Sequence, residues 1–156
     1  MIEIITHKHY RANIFGENIR KYLYYSVYYF IIIVLLFSGI TKILDPLPLI
    51  KTLEAFKLFS DTINIFISTT LPILEIGLAL LLILKKNQKI ILSVTLFLFT
   101  GFLFYSIYGY YLGIVNDCGC FGNLIKSEFG VSMIVRNFFL FMVIGYLVVS
   151  NNKNIL

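Results

Sequence analysis

The chain has 156 residues, 59% of them hydrophobic and only 13% charged, with a formal net charge of +5 and a mean hydropathy of +0.89. A water-soluble domain carries roughly 25% charged residues, so this composition excludes an ordinary soluble globule and reads as an integral membrane protein. The positive charge does not point to nucleic acid, because the basic residues sit at the ends of apolar runs, where they orient membrane helices, and form no basic patch interleaved with aromatics.

Residues 1–21 are polar and mixed, carry Lys8, Arg11, Arg20 and Lys21, and read as a cytoplasmic N-terminal tail. The apolar run that follows is longer than a signal h-region and no clear small-residue cleavage site comes after it, so cleavage is not expected. His7 and His9 are two residues apart, do not share a helix face, and read as solvated tail residues. The first apolar run, 22–43, is long enough to span. Its opening tyrosines read as an interfacial belt, and Pro46 ends it because the residue before a proline avoids the helical region.

Residues 47–60 differ. Ile50, Leu53 and Phe56 recur at helical spacing, while Lys51, Glu54 and Lys57 fall on another face. Pro48 suits a first helical turn. A short amphipathic helix lying in the interface plane is expected. The second span, 63–84, contains Pro72 and Glu75 and ends at Lys85 and Lys86. The third, 90–110, leaves through a tyrosine-rich end. A loop over 113–125 then carries the stretch NDCGCFG (116–122), which holds both cysteines of the protein. The fourth span, 131–149, has Arg136 near its start, and 151–156 form a cytoplasmic tail. Four spans of about 20 residues use ~80, leaving no room for a separate soluble domain. The expected architecture is a single domain over 22–150: an all-α integral membrane protein, a four-transmembrane-helix bundle with a short amphipathic interfacial helix between helices 1 and 2.

Orientation follows from Lys and Arg in short connections. Eight lie in the N-terminal tail, the turn after the second span and the C-terminal tail; four (Lys42, Lys51, Lys57, Lys126) lie on the other side. Both termini are therefore expected inside and the cysteine loop outside. In a bacterium this is a multi-pass protein of the cytoplasmic (inner) membrane, with the loop in a compartment where disulfides form and persist.

Cys118 and Cys120 are separated by one glycine, which tolerates the tight backbone a small ring demands. A structural staple between such near neighbours removes almost no chain entropy, whereas a strained, exposed disulfide is labile and suited to exchange. The other readings are inert cysteines, a bridge to another chain, or a metal site. For the last, the loop side supplies Cys118, Cys120 and Asp117, fewer ligands than a stable intramolecular site uses, and both histidines are expected on the opposite side. Glu75 falls near the middle of a span, where a carboxylate suggests a functional site with a partner or a protonated side chain bonding across helices. Lys42 and Arg136 lie in the leaflet of the cysteines, where a cation stabilises a thiolate; Lys42 alone also reads as snorkelling to the interface. Arg136 requires a partner, and Asp117, Glu75 or a polar ligand head are the candidates. Phe and Tyr make up 17% of the chain; a quinone slot is compatible with that content, but no spacing marks one.

In order along the chain, FSGITKILDP (37–46), LPILEIG (71–77), DCGCFG (117–122) and Arg136-Asn137 resemble the MauE-like branch of the DoxX superfamily of small bacterial membrane proteins. The resemblance covers the chain from the first span to the fourth. It implies a four-helix membrane protein associated with redox maturation. The methylamine-utilisation member is linked to disulfide formation in an exported dehydrogenase subunit, alongside a thioredoxin-like partner, and DoxX relatives are tied to quinone-linked sulfur oxidation. On this analogy Cys118 and Cys120 are the redox pair, supported by Lys42, Glu75 and Arg136, with lipid, an exported thiol protein or thioredoxin-like protein, and a quinone as candidate partners. Beside a thiol–disulfide oxidoreductase stand a non-enzymatic membrane subunit or scaffold of a redox complex, a metal-handling protein using the CxC pair, and a transporter using Glu75 and Pro72.

Overall fold

A computed structural model describes residues 2–57, 60–114 and 130–152, with side chains described over 19–57, 60–114 and 130–151. Among the described residues five helices follow in order: α1 (Ile2–Leu44), α2 (Leu47–Phe56), α3 (Asp61–Ile83), α4 (Gln88–Tyr111) and α5 (Val131–Asn152). Four segments are long and apolar enough to cross a membrane: Ile19–Leu44, Asp61–Ile83, Gln88–Tyr111 and Val131–Asn151. The expected all-α architecture, a four-helix membrane bundle with a short helix between the first and second spans, is what the chain forms. The helical backbone of α1 also continues through the residues preceding the first apolar run.

The joint between α1 and α2 is chemically specified. Asp45 and Pro46 interrupt the helical run, the Leu47 amide donates to Asp45 Oδ1 at 3.3 Å, and Pro48 occupies the first turn of α2, where a missing N–H costs nothing. On α2, Leu49, Thr52, Leu53 and Phe56 are buried while Lys51 and Glu54 are exposed. Its inward face therefore centres on Leu49 and Leu53, with Ile50 only half-buried. Lys57 ends it in the left-handed region with φ 50°, its amide bonded back to the Glu54 carbonyl. Phe56 then reaches across to α4, stacking on Tyr108 at 5.5 Å and tilting onto Tyr105 at 4.7 Å between ring centroids.

The spans pack as two close pairs, α1 against α3 and α4 against α5. The pairs meet more sparsely, through α1 with α5 and, to a similar extent, through α3 with α4. Tyr28, Ile31 and Leu35 of α1 form the core with Leu78, Ala79 and Leu82 of α3, Leu92 and Phe99 of α4, and Ile144 and Leu147 of α5. Many large apolar side chains, Phe66, Phe97 and Phe104 among them, stand exposed on the outside. In water such a surface aggregates; in a bilayer it is the solvated surface.

The tyrosines at the start of the first span divide. Tyr22, Tyr25 and Tyr29 point outward, as an interfacial belt requires, but Tyr24 and Tyr28 are buried. The reason is helical geometry: residues four apart share a face, and the Tyr24–Tyr28 face is the one turned to the bundle, where their rings stack 6.0 Å apart. The Tyr28 hydroxyl donates to the Leu82 carbonyl at 2.7 Å. That carbonyl is in the last turn of α3, where it also accepts from the Lys85 amide at 3.0 Å.

α1 and α3 approach closely at Gly39. A Cβ there would lie 2.6 Å from Ile76 Cγ1 and 3.1 Å from the Pro72 carbonyl oxygen, so only glycine permits this separation, as small residues do between membrane helices. Gly39→Leu is expected to force α1 from α3 and to lower the thermal unfolding midpoint in detergent, at the cost of about 1–3 kcal/mol typical of overpacking. Gly77→Ala, at a glycine where a Cβ meets nothing within 4 Å, should leave the midpoint unchanged in the same assay.

Candidate functional site

Ser38, Lys42 and Glu75, all buried, meet at one point in the bundle interior. Lys42 sits in the last turn of α1. Side chains on a helix lean toward its N-terminus, so Lys42 reaches back one turn to Ser38 and inward to α3. Its Nζ donates to Ser38 Oγ at 2.8 Å and to Glu75 Oε1 at 2.5 Å, an ion pair buried on both sides. Ser38 in turn donates to Glu75 Oε1 at 3.2 Å. Thus Ser38, Lys42 and Glu75 form a closed triangle between α1 and α3. The ammonium also lies 4.8 Å from the centroid of the Phe102 ring on α4, close enough for a cation–π contact.

At a rise of 1.5 Å per residue, Glu75 is about 21 Å along α3 from Asp61, well within hydrocarbon depth. Each isolated ion there costs several kcal/mol to desolvate, and pairing with good hydrogen-bond geometry offsets that cost. Lys42 consequently does not snorkel to the interface. The pull of a buried carboxylate outweighs the path to headgroups.

Arg136 and Asn137 of α5 approach from the other side. With Ser38, Lys42, Phe99 and Phe102 they line a small void of about 20 Å³ between α1, α4 and α5, enough for one water molecule. Asn137 Nδ2 donates to the Phe102 carbonyl at 3.3 Å, which fixes α5 against α4 beside the ion pair. Pairing of Lys42 with Glu75 answers the question the sequence left open for both residues. Ser38, Asn137 and Phe102 were not singled out as site residues. The four-residue spacing of Ser38 and Lys42 on one helix was a visible signal, whereas nothing in the sequence aligned Phe102 with them. Asp117, Cys118 and Cys120, with most of the loop 113–125, lie outside the described residues.

A second feature adjoins the triangle. Where α3 and α4 diverge, a cleft of about 330 Å³ opens, lined by Lys42, Leu49 and Leu53 of α2, Leu71 and Leu74 of α3, and Phe97, Gly101, Phe102 and Tyr105 of α4, among others. Its walls are almost wholly apolar, and among the described residues Lys42 is the one charged side chain lining it. Phe97 and Val94 at its rim are exposed on the lipid-facing surface.

Residues 20–150 match the family model described as methylamine utilisation protein MauE. The chain belongs to the MauE family. No curated protein and no solved structure matches it significantly. The matched region contains every element of the site: Ser38, Lys42, Glu75, Arg136 and Asn137, and the CxC segment as well.

The ion pair yields a direct test. Glu75→Gln leaves an ammonium buried without its counter-charge and should destabilise the bundle by about 3–5 kcal/mol. Lys42→Met should do the same to the carboxylate, unless it takes up a proton. The double variant Lys42→Met/Glu75→Gln should recover most of the loss. Thermal unfolding of the four purified proteins as a double-mutant cycle measures the coupling, and additive losses would show the pair to be energetically idle.

Proposed function

We propose that this chain is a membrane-embedded, redox-associated protein of the inner membrane whose CxC pair, Cys118 and Cys120, carries out thiol–disulfide exchange on the extracytoplasmic side during maturation of exported proteins. The observation that carries the reading is membership of the MauE family over residues 20–150, a match that includes DCGCFG. The family is named for methylamine utilisation, and an exported dehydrogenase subunit or a thioredoxin-like protein is the corresponding class of partner. The excess of Lys and Arg at the tail and turn regions supports termini inside and the loop outside.

In the proposed exchange, a thiolate of an exported protein attacks the Cys118–Cys120 disulfide. One sulfur leaves as a thiolate and the other is held in a mixed disulfide. The exported protein's second thiolate then displaces that bond. Its own disulfide is formed, and two electrons and two protons have moved to Cys118 and Cys120. Lys42, Glu75 and Arg136 support this chemistry by holding α1, α3 and α5 in register, and Asp117 lies next to the pair in sequence. The second reading is a non-enzymatic subunit that docks a partner through the loop and α2.

Differential alkylation in intact cells separates these. A membrane-impermeant maleimide should label Cys118 and Cys120 without lysis, after reduction, and acid-trapped samples should show the pair changing redox state with growth conditions. Cys120→Ser, which cannot form the internal disulfide, should lose oxidation of exported thiols while Cys118 stays open to the maleimide. Labelling only after the cells are broken open would refute the topology. Full function in the double Cys→Ser protein would favour the docking subunit, and metal bound to the purified reduced protein would favour metal handling.

A further inference from the structure

We propose that the groove along α4, which includes the cleft between α3 and α4, holds one phospholipid with an anionic headgroup. Its phosphate sits at the Lys85–Lys89 turn and one acyl chain lies in the groove. The proposal does not depend on the chemistry of the cysteines.

The cleft does not end where α3 and α4 part. A second depression of about 420 Å³ is lined by Lys89, Ile90, Ser93, Val94 and Phe97 of α4, and Val94 and Phe97 also line the cleft. Ile90, Val94, Phe97 and Gly101 recur at helical spacing, so the two openings form one groove along a single face of α4. A Cβ at Gly101 would meet nothing within 4 Å, which keeps the groove open at that level. Lys89 and Gly101 are about 18 Å apart along the helix, close to the ~15 Å of hydrocarbon in one leaflet. The groove therefore has the depth of one acyl chain, and its almost wholly apolar walls ask for no hydrogen bond. Phe97, 80% exposed at its rim, opens it to the bilayer.

The end of the groove at the turn has the opposite chemistry. Lys85, Lys86 and Lys89 are exposed there, and residues 76–116 contain no Asp or Glu. Among the described residues, Asp45, Glu54 and Asp61 lie toward the other end of the bundle, and Glu75 is held by Lys42. No described carboxylate answers the charge of the turn. Lysines at this depth attract anionic lipid headgroups, and an ammonium binds phosphate as a compact point charge. The ligand that matches both ends is thus a negative head on a flexible apolar chain. A second copy of the chain, inserted in the same direction, would bring its own lysines to the same depth and set like charge against like.

The chain contains no tryptophan, so Phe97→Trp puts a single reporter in the wall shared by both parts of the groove. Met142→Trp, exposed on α5, reports on ordinary surrounding lipid. Each full-length protein is reconstituted in phosphatidylcholine vesicles, and dibrominated phosphatidylglycerol or dibrominated phosphatidylcholine replaces a rising fraction of the lipid. At Phe97→Trp the brominated phosphatidylglycerol should quench as a lipid preferred about fivefold or more, the factor one basic residue contributes beside an anionic headgroup. At Met142→Trp the two lipids should quench alike. Adding Lys86→Gln/Lys89→Gln to the Phe97→Trp protein should abolish the preference and leave the thermal midpoint unchanged. Adding Gly101→Leu instead should fill the groove and cut the preference although the lysines are intact. An equal preference at both reporters overturns the proposal, because it shows diffuse attraction to a basic surface. So does a preference that survives either set of substitutions. Quenching by both lipids at Met142→Trp but by neither at Phe97→Trp also overturns it, assigning the groove to a second copy or another protein.

Discussion

An ammonium and a carboxylate held together at hydrocarbon depth are the constraint around which this bundle is arranged. Neither Lys42 nor Glu75 is stable there alone, because the bilayer supplies no water to solvate it. Their contact therefore fixes the rotation and depth of α1 relative to α3. Gly39 makes this possible by letting the two backbones close to a distance that any side chain would prevent. Ser38, one turn before Lys42, binds both ions and reduces the freedom of each. Stabilisation and specification differ here: a buried ion pair is weak evidence for net stability, but only one relative placement of α1 and α3 satisfies it.

Once α1 is committed to α3 in this way, the remaining helices have limited choices. α4 and α5 pack on each other, and this pair meets the first through α5 on α1 and α4 on α3. Asn137 bonds α4 beside the ion pair, and Arg136 borders the same small void. The opposite side, between α3 and α4, is left incompletely filled. α2 bridges this gap at one end, with Leu49 and Leu53 facing the cleft and Phe56 against the tyrosines of α4. A membrane protein can sustain such an opening because lipid is as apolar as the helix faces, and the drive to close it is weaker than in water. The cleft and the ion pair are thus two results of one packing arrangement, and they meet at Lys42.

Much of this was legible in the residues. The four spans follow from apolar runs of spanning length, the break before α2 from Asp45 and Pro46, and the amphipathic character of α2 from the alternation of Leu53 and Phe56 with Lys51 and Glu54. Lys42, Glu75 and Arg136 stood out because charge is expensive inside a bilayer, whatever its partner. The partner itself was not legible, since Lys42 and Glu75 are 33 residues apart and hydropathy carries no information about helix rotation. For the same reason the buried Tyr24 and Tyr28 could not be told from the exposed Tyr25 and Tyr29.

The sequence by itself determined the solvent of this protein, the number of its crossings and the identity of its rare polar groups, because transfer into hydrocarbon depends on local composition. Tertiary structure alone decided which of those groups meet, that a cleft opens between α3 and α4, and that Lys42 turns inward. These outcomes depend on the relative rotation and separation of helices distant in the chain, which close approach at Gly39 and pairing of buried charges select together.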